Sequence, residues 1–132
     1  MTVPVLECHD IVKRFALPSR RGGWRGRKYF NALDGVTLML EEGETLGLVG
    51  ESGSGKSTVA KVLGMLLAQD SGEVRFRGDR LPRPGLMAGL PSQRLLRPFR
   101  RRVQMVFQDP FTSLNPRLTV SRILDEPLAI HR

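Results

Sequence analysis

A chain of 132 residues, 40% of them hydrophobic, is long enough to bury one core and too apolar for wholesale disorder. No apolar run approaches the roughly eighteen residues of a membrane span, and Met1 to Glu7 lacks the basic start and apolar centre of a signal peptide. The net charge of +8 opens the question of nucleic acid or anionic surfaces, while the single cysteine, Cys8, allows no internal disulfide.

In chain order, Val5 to Phe15 reads as a first strand, with Cys8 a small buried residue on it. Pro18 to Arg27 is rich in glycine, arginine and proline and is expected as an exposed loop. Tyr29 to Leu33 fits a short second strand, with Asp34-Gly35 a turn. Val36, Leu38 and Leu40 then alternate with Thr37 and Met39, as on a sheet face. Glu41 to Glu44 turns the chain into Thr45-Leu46-Gly47-Leu48-Val49, an apolar run that reads as a buried strand.

The next nine residues carry the chemistry. Gly50-Glu51-Ser52-Gly53-Ser54-Gly55-Lys56-Ser57-Thr58 satisfies every fixed position of G-x-x-x-x-G-K-[ST]. Glycines at those places let successive N–H groups turn inward toward phosphate oxygens. Lys56 supplies a charge for the β- and γ-phosphates, and the Ser57 hydroxyl is a ligand for Mg²⁺. Val59, Val62, Leu63 and Leu66 recur at helical spacing, so a helix points its N-terminus at the same anion. Strand, glycine loop and helix come in the order phosphate binding requires.

Gln69 to Gly72 is a turn, and Glu73 to Arg77 alternates as a half-buried strand does. Residues 78 to 98 hold Pro82, Pro84, Pro91 and Pro98 and read as loop, with a short helix near Gln93 to Arg101. Val103 to Phe107 is expected as another apolar strand, running into Gln108-Asp109-Pro110. From Thr119 onward Val120, Ile123, Leu124 and Leu128 mark one helical face. Basic residues cluster at Arg20 to Lys28 and at Arg94 to Arg102. Few aromatics accompany them, only Trp24, Tyr29 and Phe30 near the first, so solvated basic loops are the plainer reading.

With the glycine loop and Gln108-Asp109-Pro110 in hand, the chain resembles an ATP-binding cassette (ABC) transporter ATPase, and more closely the subunits of dipeptide and oligopeptide importers. The resemblance is carried by Ala32-Leu33-Asp34-Gly35-Val36, by Gly43 through Gly53, and by Val106-Phe107-Gln108-Asp109-Pro110 through Ser113-Leu114-Asn115-Pro116-Arg117. It implies an α/β P-loop NTPase fold with an N-terminal antiparallel β portion, breaking off as the helical subdomain starts. Residues 1-49 would form the β portion, 50-68 the P-loop and its helix, 69-107 a strand, insert and strand, and 108-132 the Q-loop and first helix. It implies ATP and Mg²⁺ as ligands. Phe15 would stack on adenine, Gly50 to Thr58 would wrap the phosphates, and Ser57 and Gln108 would approach Mg²⁺. Gln108 would also stand near the attacking water and couple the site to transmembrane permease subunits. A second ATP-binding subunit is the other implied partner, with the protein peripheral at the cytoplasmic face of the plasma membrane.

Three parts of that family's machinery find no counterpart in residues 1–132: the L-S-G-G-Q signature, the acidic Walker B strand and the switch histidine. Leu86 to Gln93 is not a signature, and Ile123-Leu124-Asp125-Glu126-Pro127 has helical rather than strand spacing, with Ser121 and Arg122 where buried apolar residues belong. His9 and His131 read as surface histidines. The expectation is a nucleotide-binding portion of a peptide importer's energising subunit that does not turn over ATP alone. A non-catalytic binding or assembly module is the main alternative, and a nucleic-acid-associated protein a weaker one.

Overall fold

The computed structural model describes residues 3–17, 28–84, 91–109 and 114–130, with side chains in the segment after 90 from Leu96 onward. Two long strands, β1 (Leu6–Ala16) and β2 (Tyr29–Leu40), form an antiparallel hairpin. β3 (Ser71–Phe76) pairs antiparallel with the other edge of β1, and β4 (Asp79–Arg80) closes the order β2-β1-β3-β4. Arg77 and Gly78, with φ of 52° and 85°, make the two-residue turn between β3 and β4. Positive φ at both places suits the right-handed twist of the flanking strands.

The hairpin carries three irregularities, at Cys8/Ile11, Ile11/Lys13 and Lys13/Arg14, and the first two compensate each other. Cys8 pairs with Leu38 but Ile11 with Val36, so β1 holds one extra residue there, with Asp10 at φ 49°. That extra residue returns Ile11 to the face that buries Leu6 and Cys8. One step on, Lys13 pairs with Leu33, which puts the extra residue on β2 at Asp34-Gly35, with Gly35 at φ 71°. Leu33 is thereby buried beside the half-buried Val36. The expected turn at Asp34-Gly35 is thus a bulge within one continuous strand, because β1 is long enough to pair along its whole length.

Helix α1 (Lys56–Leu63) lays Val59 and Val62 on the inward sheet face. It ends at Gly64, and Met65, at φ 55° and fully buried, plugs the space beneath. Leu66, expected on the helical face, falls beyond the helix end and is exposed. The return loop is tied to β1: Asp70 donates its N–H to the Val12 carbonyl at 2.8 Å, and its carboxylate accepts from the Arg14 N–H at 2.6 Å. Helix α2 (Pro91–Arg102) adds Leu96 and Phe99 to the core, the Phe99 ring meeting Phe76 edge-on at 5.3 Å between centroids. Helix α3 (Val120–Ile130) buries no residue. It contains Asp125 and Glu126, so that pair ends no strand.

Two further expectations are corrected. The apolar runs predict a buried strand at Thr45–Val49 and another strand at Val103–Phe107, and neither segment is one. Both run without a partner strand, and Val49 and Val106 are 97% and 96% exposed. A strand exists only with a ladder beside it, and among the described residues no strand flanks either segment. The α/β class stands, with its sheet antiparallel. The arginines of the first cluster, Arg20 to Arg27, and the segments around Leu86 and Pro110 lie outside the described residues, as does His131.

Candidate functional site

Between Val49 and α1 the backbone bends through conformations that favour glycine. Gly50, Gly53 and Gly55 have φ of 157°, 86° and 95°. A Cβ on Gly50 would stand 2.8 Å from Ser54 Oγ, and one on Gly55 would stand 2.6 Å from the Ala32 carbonyl oxygen and 3.0 Å from Leu33 Cδ2. Gly55 therefore has two reasons to be glycine, its left-handed φ and the strand against which it is pressed. That contact seats the loop on β2. Nothing in the sequence links residue 32 to residue 55, so the seat is not legible there.

Lys56 opens α1 and folds its ammonium back into the loop. Its Nζ donates to the Gly50 carbonyl at 2.8 Å, the Glu51 carbonyl at 2.6 Å and Ser54 Oγ at 3.1 Å. The positive charge is thus held at the mouth of the loop. Gly55 provides no side-chain cap for α1 and the first turn holds no acidic residue, so the first N–H groups keep their affinity for an anion. Ser57 and Thr58 follow within that turn, and Ser52, Gly53 and Ser54 form its exposed outer bend.

Ser57 and Gln108 lie in one groove. An open cleft of about 570 Å³ runs between α1 and the segment after α2, lined by Ser57, Ala60, Lys61, Met105, Phe107, Gln108 and Asp109 among others. Met105 anchors that segment, its Cε standing 3.0 Å from where a Cβ on Gly64 would be. Met105 and Ala60 carry no mark of this place in the sequence, since a methionine between apolar neighbours gives no chemical signal. Asp109 is visible there only as the residue after Gln108.

Phe15 stands apart from that groove. It pairs with Phe30 on β2, is 42% exposed, and has the Lys13 ammonium 5.5 Å from its ring centroid. Lys13 pairs with Leu33, which touches Gly55, so the Phe15 ring lies a short way along the hairpin from the loop. His9 meets Glu7 at 2.8 Å on the sheet surface, away from the cleft lining. Cys8 is buried, and burial pushes its thiol pKa up. Among the described residues no three His, Cys, Asp or Glu side chains converge as metal ligands, and no helix is long and apolar enough to cross a membrane.

Comparison with known proteins gives these features a context. A family model described as ABC transporter matches residues 33–129. The oligopeptide transport ATP-binding protein AppF of Bacillus subtilis (strain 168) is 41% identical over 129 residues, which are 96% of this chain and 36% of that protein. The dipeptide transport ATP-binding protein DppF of Escherichia coli (strain K12) is 41% identical over 128 residues, 97% of this chain and 36% of that protein. Among solved structures, the ATP-binding cassette MJ0796 in a dimeric post-hydrolysis state, bound to ADP and Pi, superposes with a TM-score of 0.70 at 26% identity. That match covers 96% of this chain and 48% of the cassette. The chain thus spans about a third of the length of the curated relatives it matches.

Proposed function

The chain belongs to the ABC transporter family, and from that premise we propose that residues 1–132 form the nucleotide-binding portion of the energising subunit of a peptide-type importer. The observation that carries this reading is the loop from Gly50 to Thr58, with its cationic mouth at Lys56 and an uncapped helix behind it. ATP would bind with its phosphates against the loop amides, Lys56 exchanging its carbonyl partners for phosphate oxygens. Ser57 would reach a Mg²⁺ held between it and the phosphates, with Gln108 facing it across the groove. The Phe15 ring would offer the adenine a stacking surface.

Peptide-importer relatives at about 41% identity over nearly the whole chain support the transported class. Permease subunits would then meet the Gln108 region, and a second ATP-binding subunit would complete the assembly at the cytoplasmic face of the membrane. A chimera tests this directly. Residues 1–132 would replace the matched segment of the Bacillus subtilis relative, and oligopeptide uptake would be measured in cells lacking that relative. Uptake is expected with the chimera and not with its Lys56→Ala form. A chimera that is produced and folded but takes up no peptide would overturn the assignment.

The metal has its own test. By calorimetry, Mg²⁺ should strengthen ATP binding to the wild-type chain, and Ser57→Ala should bind ATP while losing most of that gain. An equal gain in both would remove Ser57 from the site.

A further inference from the structure

The third irregularity of the hairpin stands beside the phosphate loop. Leu33 lies opposite Lys13 and Asn31 opposite Arg14, so Ala32 is an extra residue on β2. Its carbonyl is the one against which Gly55 is pressed. The same extra residue turns over every β2 side chain beyond it. On β1 no residue is added after Ile11, so Lys13 and Phe15 share the face of the buried Ile11, the face that α1 covers. Phe30 pairs with Phe15 and therefore points to that face as well. Without Ala32 as an extra residue, Asn31 would stand opposite Phe15 and the Phe30 ring would point to the far side.

We infer that Phe30 is a second nucleobase-binding residue, set beside Phe15 by this bulge, so that the base is held by rings from two adjacent strands rather than by one. The inference rests on the nucleotide reading of the loop from Gly50 to Thr58. Both rings are open to a ligand, Phe15 being 42% and Phe30 52% exposed, and neither belongs to the buried core. A cross-strand aromatic pair that served only the hairpin would gain most with its rings in contact. Among the described residues the one ring–ring contact is that of Phe76 with Phe99, so the Phe15 and Phe30 rings stand apart. The Lys13 ammonium, 5.5 Å from the Phe15 centroid, takes one face of that ring and leaves the other to a base. A base stacked there gains a further contact from Phe30. The phosphate loop is close. Two residue steps, about 7 Å, separate the Phe15–Phe30 pair from the Lys13–Leu33 pair, where Leu33 meets Gly55. Tyr29 is the natural control, since it is exposed but one step further along β2 and so on the opposite face.

Calorimetry on residues 1–132 tests this with two ligands, ATP–Mg²⁺ and tripolyphosphate–Mg²⁺, the second having the phosphate chain and no base. Phe30→Ala should weaken ATP binding about tenfold or more and leave tripolyphosphate binding within about twofold of the wild type. Phe30→Tyr keeps the ring and should return most of the lost ATP affinity. Tyr29→Ala should change the binding of either ligand by no more than about twofold. Undiminished ATP binding by Phe30→Ala would overturn the inference and leave the nucleotide reading in place. An equal loss of both ligands in Phe30→Ala would also overturn it, because the ring would then be supporting the fold and not the base. So would a Phe30→Tyr form as weak as Phe30→Ala, or a loss of ATP binding in Tyr29→Ala as large as that in Phe30→Ala. Binding of neither ligand by the wild-type chain would overturn the nucleotide reading, and this inference with it.

Discussion

Gly55 shows how much of the site rests on single atoms. Its φ of 95° and the Ala32 carbonyl 2.6 Å from any added Cβ leave no room for a side chain. Gly55→Ala should lower unfolding stability by about 2–4 kcal/mol, read by urea titration. Gly53→Ala is strained only by φ 86°, since nothing lies within 4 Å of its Cβ, and should cost about half as much. Cys8 offers a second check. Buried, with a raised thiol pKa, it should react with a maleimide at least about a hundredfold more slowly in the native chain than in urea. The unfolded thiol ionises at lower pH than the native one. The burial of Cys8 therefore costs nothing below the ordinary cysteine range, and stability falls as pH rises through it.

At the scale of elements, α1 and α3 should behave oppositely. Val62 on α1 is fully buried against the sheet, and Val62→Ala should cost about 2 kcal/mol. Leu124 on α3 is exposed, and Leu124→Ala should change stability by no more than about 0.5 kcal/mol. Comparable losses at both positions would mean that α3 is packed against something.

The elements also show what sequence patterns can carry. Alternation in Val36, Leu38 and Leu40 locates the inward face of β2, and helical spacing locates α1 and α3, because these signals are local. The bulges at Asp10 and at Asp34-Gly35 are not legible, since each exists only to match one strand to another. Thr45–Val49 and Val103–Phe107 mislead for a related reason. Their apolar runs state what they are suited to become, while strand formation depends on neighbours that composition does not name. Lys56, Ser57 and the glycines of the loop are legible because phosphate binding constrains residue type at fixed spacing. The contact of Gly55 with Ala32 is not.

At the scale of the whole molecule, binding and turnover separate. Phosphoryl transfer needs water, metal and neutralising charge placed together around the γ-phosphate. Residues 1–132 supply Lys56, Ser57 and Gln108, and the acidic Walker B pair, signature and switch histidine have no counterpart in their sequence. Purified residues 1–132 should release phosphate no faster than their Lys56→Ala form. Steady release that vanishes in Lys56→Ala would point to a carboxylate acting here, with Asp109 in the groove the first to replace by asparagine. The charge of +8 should give only weak duplex-DNA binding, lost by physiological salt, in a fluorescence titration.

Lys56 is the residue through which the loop from Gly50 to Thr58 would hold a nucleoside triphosphate. Thermal unfolding of residues 1–132, with and without ATP and Mg²⁺, tests this central claim most directly. A ligand that binds only the native state stabilises it by about 2.7 kcal/mol at a hundred times its dissociation constant. The wild-type midpoint should therefore rise by several degrees as ATP–Mg²⁺ increases, and the Lys56→Ala midpoint should stay where it is. A rise of equal size in both proteins, or in neither, would contradict the account.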